Sequence, residues 1–155
     1  APRILVTGGS NTHPVTNEQC SRAIELARLI VSFGVPSEKV VPIGAVSAGH
    51  TLGNVANLTG YLRLHPEIQR VGMLCPRFQM LRAMAMQYRD SYYQEHGIKL
   101  EWIEVERTLV QAGALSKLEV DTVYTTPAAD ICWQKEREGM QALLEGTYRT
   151  TRKST

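Results

Sequence analysis

Arg3-Ile4-Leu5-Val6-Thr7-Gly8-Gly9-Ser10-Asn11 is the stretch from which the fold class follows most directly. A short β-branched apolar run that ends in Gly-Gly is typical of a buried strand followed by a turn. Two further apolar runs, at residues 39–43 and 70–75, are each followed by a polar cluster and a helical pattern. Repeated strand–helix units predict a three-layer α/β/α, Rossmann-like domain with a mostly parallel sheet of about five strands.

Helical patterns follow the first two of these strands. Thr16-Asn17-Glu18-Gln19 has the form of a capping box and predicts a helix that ends at Gly34. Thr51 is a plausible N-cap for a second helix, because apolar residues recur after it at helical spacing. That helix is expected to end before Pro66.

The second half of the chain predicts two more strands and two more helices. Pro76 fits the first position of a helix that continues to about His96. Residues 99–105 predict a fourth strand, and Val120 to Tyr124 predict a fifth. Thr126-Pro127 predicts the start of a final helix.

The composition is that of an ordinary globular chain. Its 155 residues suit one domain, expected at 1–148, followed by a basic tail at 149–155. The net charge of +2, with both signs interspersed, gives no reason to expect nucleic-acid binding. No apolar run approaches the roughly 20 residues of a membrane span, so we expect a cytoplasmic protein, with cell-envelope association if a leader or anchor was removed. The three cysteines form no CxxC pair, which argues against a zinc site and a disulfide framework.

Polar clusters follow the first three predicted strands at their carboxyl ends. Ligands of open parallel sheets bind in the crevice beyond those ends, so the three clusters are expected to converge on one site. The predicted ligand-binding residues are Gly8, Gly9, Ser10, Asn11, Ser47, Thr51, Asn54, Arg77, Phe78, Gln79 and Arg82.

The residue types in these clusters suit an uncharged polar lining with an anion clamp. Gly8 and Gly9 let backbone N–H groups approach a phosphate or carboxylate, although a tight turn explains them as well. Arg77 and Arg82 flank a predicted helix start, where a cation opposes the helix dipole. A bound anion or an acidic neighbour is therefore implied. Gln79 can orient a ligand but cannot act as a general base.

Cys75 precedes a predicted helix N-terminus, a position that can lower the pKa of a thiol. A nucleophilic cysteine also needs a base, and His13 and His50 are the loop histidines within plausible reach. A buried cysteine at the end of a strand is the more common arrangement.

Four segments resemble the SanA/ElyC/YdcF family of largely uncharacterised bacterial α/β domains over about residues 3–90. They are Gly8-Gly9, Gly34-Val35-Pro36-Ser37-Glu38-Lys39-Val40, Ser47-Ala48-Gly49-His50-Thr51-Leu52-Gly53-Asn54 and Cys75-Pro76-Arg77-Phe78-Gln79-Met80-Leu81-Arg82-Ala83. The order and spacing of the four segments make the resemblance fairly specific. It implies a Rossmann-like sheet and a nucleotide-like ligand, and one branch is associated with S-adenosylmethionine.

The chain departs from the family motifs at three positions. Gly53 stands where the family usually has glutamate, Gln79 where it has histidine, and Cys75 where it has threonine. The two best acid–base candidates of the family motif are thus absent. The leading hypothesis is a small-molecule-binding domain for an anionic or nucleotide-like ligand, S-adenosylmethionine among the candidates. The alternatives are a hydrolase or transferase acting on a phosphate-linked substrate, and an interaction module with a degenerate site.

Overall fold

The computed structural model describes residues 2–12, 19–44 and 51–148. By its contacts the chain divides into two compact units, Ala1–Pro66 and Glu67–Thr155. A single domain over 1–148 stays a prediction from the sequence, and the basic tail at 149–155 lies outside the described residues.

The first unit is built on a parallel strand pair. Its elements are β1 (Ile4–Thr7), β2 (Ser10–Thr12), β3 (Gln19–Ser21), α1 (Arg22–Ser32), β4 (Val40–Ile43) and α2 (Thr51–Leu64). β1 runs parallel to β4 with Ile4 opposite Val40 and Thr7 opposite Ile43. The first two strand predictions are therefore confirmed, and a small core forms where Val6 and Val40 meet Ala27 of α1.

Helix α1 begins later than its sequence pattern predicts. Gln19 belongs to β3, which forms an antiparallel pair with β2. The helix starts at Arg22 instead, where the Ser21 hydroxyl accepts a hydrogen bond from the backbone N–H of Ile24 at 3.4 Å. The predicted end is confirmed, because Gly34 follows the helix in a left-handed conformation with φ of 93°.

Gly8 has a packing role at the end of β1. It is buried, and a Cβ built on it would lie 2.9 Å from Cβ of Arg22 and 3.2 Å from the backbone nitrogen of Ala23. The glycine therefore lets the end of β1 approach the start of α1 closely.

Replacing Gly8 by alanine is expected to lower the free energy of unfolding by about 1–3 kcal/mol, because the added methyl group overpacks this contact. Gly60→Ala is the matched control, since Gly60 lies within α2 with nothing within 4 Å of its Cβ position. That control should stabilise the helix by roughly 0.5–1 kcal/mol. Chemical denaturation of both variants measures the difference, and equal stabilities would contradict the assignment.

The second unit contains a second parallel strand pair and most of the helices. Its elements are β5 (Arg70–Cys75), α3 (Arg77–Tyr88), α4 (Ser91–Glu95), β6 (Lys99–Glu104), α5 (Val105–Gln111), α6 (Lys117–Tyr124) and α7 (Pro127–Leu144). β5 and β6 are in register from Arg70 opposite Lys99 to Cys75 opposite Glu104. The predicted start of the last helix is confirmed, because Thr126 caps α7 and Pro127 is its first residue.

The α/β class is confirmed, but the predicted five-stranded Rossmann sheet is wrong. The described residues form two parallel pairs, β1–β4 and β5–β6, and the antiparallel pair β2–β3. The predicted fifth strand, Val120 to Tyr124, is part of helix α6. Ser116 and Glu119 form a complete capping box there and favour the helix over the β-branched run that follows.

The predicted long helix to His96 is also interrupted. It ends at Tyr88, and Asp90 then caps the short helix α4 by accepting a hydrogen bond from the backbone N–H of Tyr92 at 3.1 Å.

Among the described residues, no helix combines the length and the apolar character that crossing a membrane requires.

Candidate functional site

In the first unit, a hydrogen bond joins the end of β1 to Asn54, a residue of the second predicted cluster. The hydroxyl of Thr7, the last residue of β1, donates a hydrogen bond to Oδ1 of Asn54 at 3.1 Å. Asn54 lies in the first turn of α2, so this bond joins the carboxyl end of β1 to the start of that helix. Gly9 also serves the fold here, because its carbonyl accepts a hydrogen bond from the backbone N–H of Arg22 at 3.1 Å.

The other predicted residues of this unit have mixed positions. Ser10 and Asn11 lie in β2, paired with Ser21 and Cys20 of β3. Thr51 is half-buried as the first residue of α2. Ser47, like the candidate bases His13 and His50, lies outside the described residues.

In the second unit, polar side chains gather where β5 and β6 end. Arg77 is the first residue of α3, and Glu104 is the last residue of β6. Nε and Nη2 of Arg77 both donate to Oε1 of Glu104, at 2.9 and 2.6 Å. The pair is open to solvent, since the Arg77 side chain is 44% exposed and that of Glu104 25%.

Glu106, in the first turn of α5, forms hydrogen bonds with residues of two other helices, α3 and α6. Its Oε2 accepts the backbone N–H of Arg77 at 3.0 Å, so it satisfies one of the open donors at the start of α3. Its Oε1 accepts a hydrogen bond from the hydroxyl of Tyr124 in α6. The Arg77 guanidinium lies over the Tyr124 ring, 5.4 Å from its centroid, and the ring of Trp133 lies 5.9 Å from that of Tyr124.

Two groups of the carboxyl-edge cluster (Arg77, Glu104, Glu106 and Tyr124) have shifted pKa values. The hydrogen bond to Glu104 raises the pKa of the Arg77 guanidinium. Burial, and after it the hydrogen bond to Glu106, raises the pKa of the Tyr124 hydroxyl well above its usual range. At neutral pH Arg77 is therefore a cation and Tyr124 a neutral phenol.

The remaining predicted residues of this unit also lie on α3. Phe78 and Gln79 follow Arg77 in its first turn, and both are half-buried.

Arg82 belongs to the contact between α3 and α7. Its Nη2 lies 2.7 Å from Oε1 of Glu136, and the two side chains are only 16% and 9% exposed. Its Nη1 also donates to the Tyr148 hydroxyl at 3.3 Å. A Cβ on Gly139 would lie 2.7 Å from Nη1, so the glycine leaves the space that the guanidinium occupies. The sequence implies either a bound anion or an acidic neighbour for Arg82. In the structure Glu136 is that acidic neighbour.

Cys75 lies half-buried at the end of β5. Burial, together with the charges of Glu136 and Glu106, raises the pKa of its thiol to about 11. A thiol in this state is protonated at neutral pH and is a poor nucleophile, which favours the packing interpretation of Cys75.

Alkylation of Cys75 at pH 8 is expected to be roughly a hundredfold slower than that of a free cysteine, whose pKa is about 8.5. The rate should climb as the pH rises toward 11, because only the thiolate reacts. Iodoacetamide labelling followed by peptide mass spectrometry measures the rate at this residue. A thiol that reacts at neutral pH as fast as free cysteine would contradict this account.

Sequence reasoning missed Glu104, Glu106, Tyr124 and Glu136. The first two follow the rule that was applied to the earlier strands, since they end and follow β6. Tyr124 lies in the segment for which the sequence wrongly predicts a strand, so its position beside Arg77 could not be predicted. Glu136 carries a helical signal, because it lies four residues after Cys132 and four before Met140 on the apolar side of α7.

Within the described ranges, no group of three or more His, Cys, Asp or Glu side chains is placed to hold a metal ion. Comparisons of the chain with protein-family models, with curated proteins and with solved structures found no match.

Proposed function

We propose that the protein binds a small anionic, nucleotide-like ligand at the carboxyl ends of β5 and β6. The observation that carries the proposal is the position of Arg77. This residue is the first of α3, just after the parallel strand β5, and its guanidinium is half-exposed. The carboxyl ends of parallel strands are where α/β folds bind their ligands. Arginine holds phosphate and carboxylate groups through two parallel hydrogen bonds.

A ligand anion would replace Glu104 on Arg77. Exposed ion pairs contribute only about 0–1 kcal/mol, so the exchange costs little. Both contacts from Arg77 go to a single oxygen of Glu104, whereas a phosphate offers two oxygens to the same fork. The intramolecular pair therefore holds the guanidinium in place without a large barrier to its release.

The neighbouring aromatic rings favour a ligand with a planar group. The Tyr124 ring lies beside Arg77, and the Trp133 ring lies beside that of Tyr124. Aromatic faces stack on nucleobases. Nucleotides, sugar nucleotides and S-adenosylmethionine combine polar groups with such a base. The resemblance to the SanA/ElyC/YdcF family agrees with this ligand class, and membership in that family is part of the proposal.

A thermal-shift screen with these compounds and with simple phosphates tests the proposal. A ligand at a hundred times its dissociation constant stabilises a protein by about 2.7 kcal/mol, which is readily seen. At the same ligand concentration the stabilisation should fall to about half or less in Arg77→Gln. It should persist in Arg137→Gln, which removes an exposed arginine of α7. If no compound shifts the unfolding temperature, the interaction module becomes the better account.

The two glutamates at this edge also support a second candidate function, a hydrolase or transferase for a phosphate-linked substrate. They supply carboxylates near Arg77, whereas the family motif positions here hold Gly53 and Gln79. Such an enzyme would use Arg77 to stabilise developing negative charge. If the Glu104 carboxylate takes part in the reaction, Glu104→Gln would abolish turnover of a phosphate ester while ligand binding remained. Turnover unaffected by the substitution would exclude Glu104 as a catalytic carboxylate.

A further inference from the structure

We propose that a groove at the opposite end of β5 and β6 binds an oxyanion group, phosphate or carboxylate, between Arg70 and Lys99. The groove is lined by Arg70, Val71, Gly72, Lys99, Leu100 and Glu101, and its volume is about 140 Å³. Its residues begin the two strands, whereas the carboxyl-edge cluster follows their ends. Five strand steps separate Arg70 from Cys75, a distance of about 16 Å, so the groove is a separate site.

The strand register places two cations side by side. Arg70 is directly opposite Lys99, and Gly72 is opposite Glu101. Because side chains alternate along a strand, these four residues share one face of the pair, and all four are exposed. Like charges directly opposite each other in a sheet are destabilising.

In the described part of the chain, neither Arg70 nor Lys99 forms an ion pair. No carboxylate there lies within ion-pair distance of Arg70 or Lys99, although Glu101 is on the same face. The charges of the groove therefore sum to +1 from two cations and one anion. A bound oxyanion would remove the repulsion between Arg70 and Lys99.

The shape of the groove depends on Gly72. Because Gly72 has no side chain, it leaves space in the groove beside Arg70 and Lys99. A Cβ on Gly72 would lie 3.1 Å from Cδ1 of Ile103. The groove is large enough to admit a small oxyanion in place of water. The guanidinium offers a planar fork and the ammonium a compact charge, a combination that suits a tetrahedral or planar oxyanion.

Titration of the ¹⁵N-labelled full chain with inorganic phosphate tests the proposal, with sodium chloride adjusted to keep the ionic strength constant. The amides of Gly72 and Leu100 are expected to shift with saturation. Arg70→Gln or Lys99→Gln should weaken this binding about tenfold or more, since each removes a charge-assisted hydrogen bond. The control Arg137→Gln should leave it unchanged. A parallel titration with acetate separates the two sources: saturation by phosphate alone assigns a phosphate group, and saturation by acetate assigns a carboxylate.

Two results would overturn the proposal. One is the absence of saturable shifts at Gly72 and Leu100 with either ion, and the other is equal affinity in all variants. Arg77→Gln keeps this test apart from the proposed function, because it should weaken ligand binding at the carboxyl-edge cluster and leave the response of Gly72 intact.

Discussion

Arg82→Met is expected to lower the free energy of unfolding by about 3–5 kcal/mol at neutral pH, because it leaves the carboxylate of Glu136 buried without its cation. The side chain of Glu136 is only 9% exposed, and in the described residues its Oε2 makes no hydrogen bond. Urea denaturation of both proteins at pH 7 measures the loss.

The loss should shrink as the pH falls. Burial already raises the pKa of Glu136, against the opposing effect of Arg82. A raised pKa means that the folded state favours the protonated carboxyl, so its stabilising contribution is present at acid pH and lost as the pH rises through the folded pKa. Removing Arg82 raises this pKa further, so the variant gains stability relative to the wild type on acidification.

Two controls show whether the buried pair causes the effect. The double variant Arg82→Met/Glu136→Leu should recover most of the loss, because replacing both ions by apolar groups is often neutral. Arg28→Met removes one partner of the exposed pair with Glu25 and should change stability by less than about 0.5 kcal/mol. Equal effects of Arg82→Met and Arg28→Met would contradict the assignment of Arg82 to the α3–α7 contact.

Arg77→Gln is expected to weaken binding of an anionic ligand by about tenfold to a hundredfold, since a charge-assisted hydrogen bond contributes about 1.5–3 kcal/mol. Glu104→Gln should have the opposite effect and tighten binding, because it removes the carboxylate that competes for the guanidinium. Isothermal titration calorimetry with adenosine diphosphate measures both changes.

The matched controls for this pair are Arg137→Gln and Glu95→Gln, which make the same changes of charge at exposed helix positions. They should alter the affinity only slightly, and less at higher salt, because distant surface charges are screened. If Glu95→Gln tightens binding as much as Glu104→Gln, the effect comes from net charge and the proposed exchange on Arg77 is wrong.

Much of the fold was predictable because the signals were local. The strands at residues 4–7, 40–43 and 70–75 are short apolar runs, and Thr126-Pro127 combines a cap with a proline at the first helical position. The strand predicted at residues 120–124 is wrong because the capping box at Ser116 and Glu119 favours a helix over the strand that the apolar run predicts. The number of strands in a sheet depends on pairing between distant segments, which local patterns do not encode.

The site was predictable in part for the same reason. The position of Arg77 after a strand predicts its role, but its partner Glu104 is 27 residues away in sequence. The sequence places Arg82 with Arg77, because both flank a predicted helix start. The structure separates them, since Glu136, which is 54 residues from Arg82, draws that guanidinium into the contact with α7.

A titration of the ¹⁵N-labelled protein with adenosine diphosphate tests the central claim most directly. The account predicts saturable shifts of the backbone amides at Cys75, Arg77 to Gln79, and Glu104 to Glu106. In Arg77→Gln these shifts should need about tenfold to a hundredfold more ligand. Saturable binding that leaves these amides unmoved, or that persists unchanged in Arg77→Gln, would contradict a ligand site at the carboxyl ends of β5 and β6.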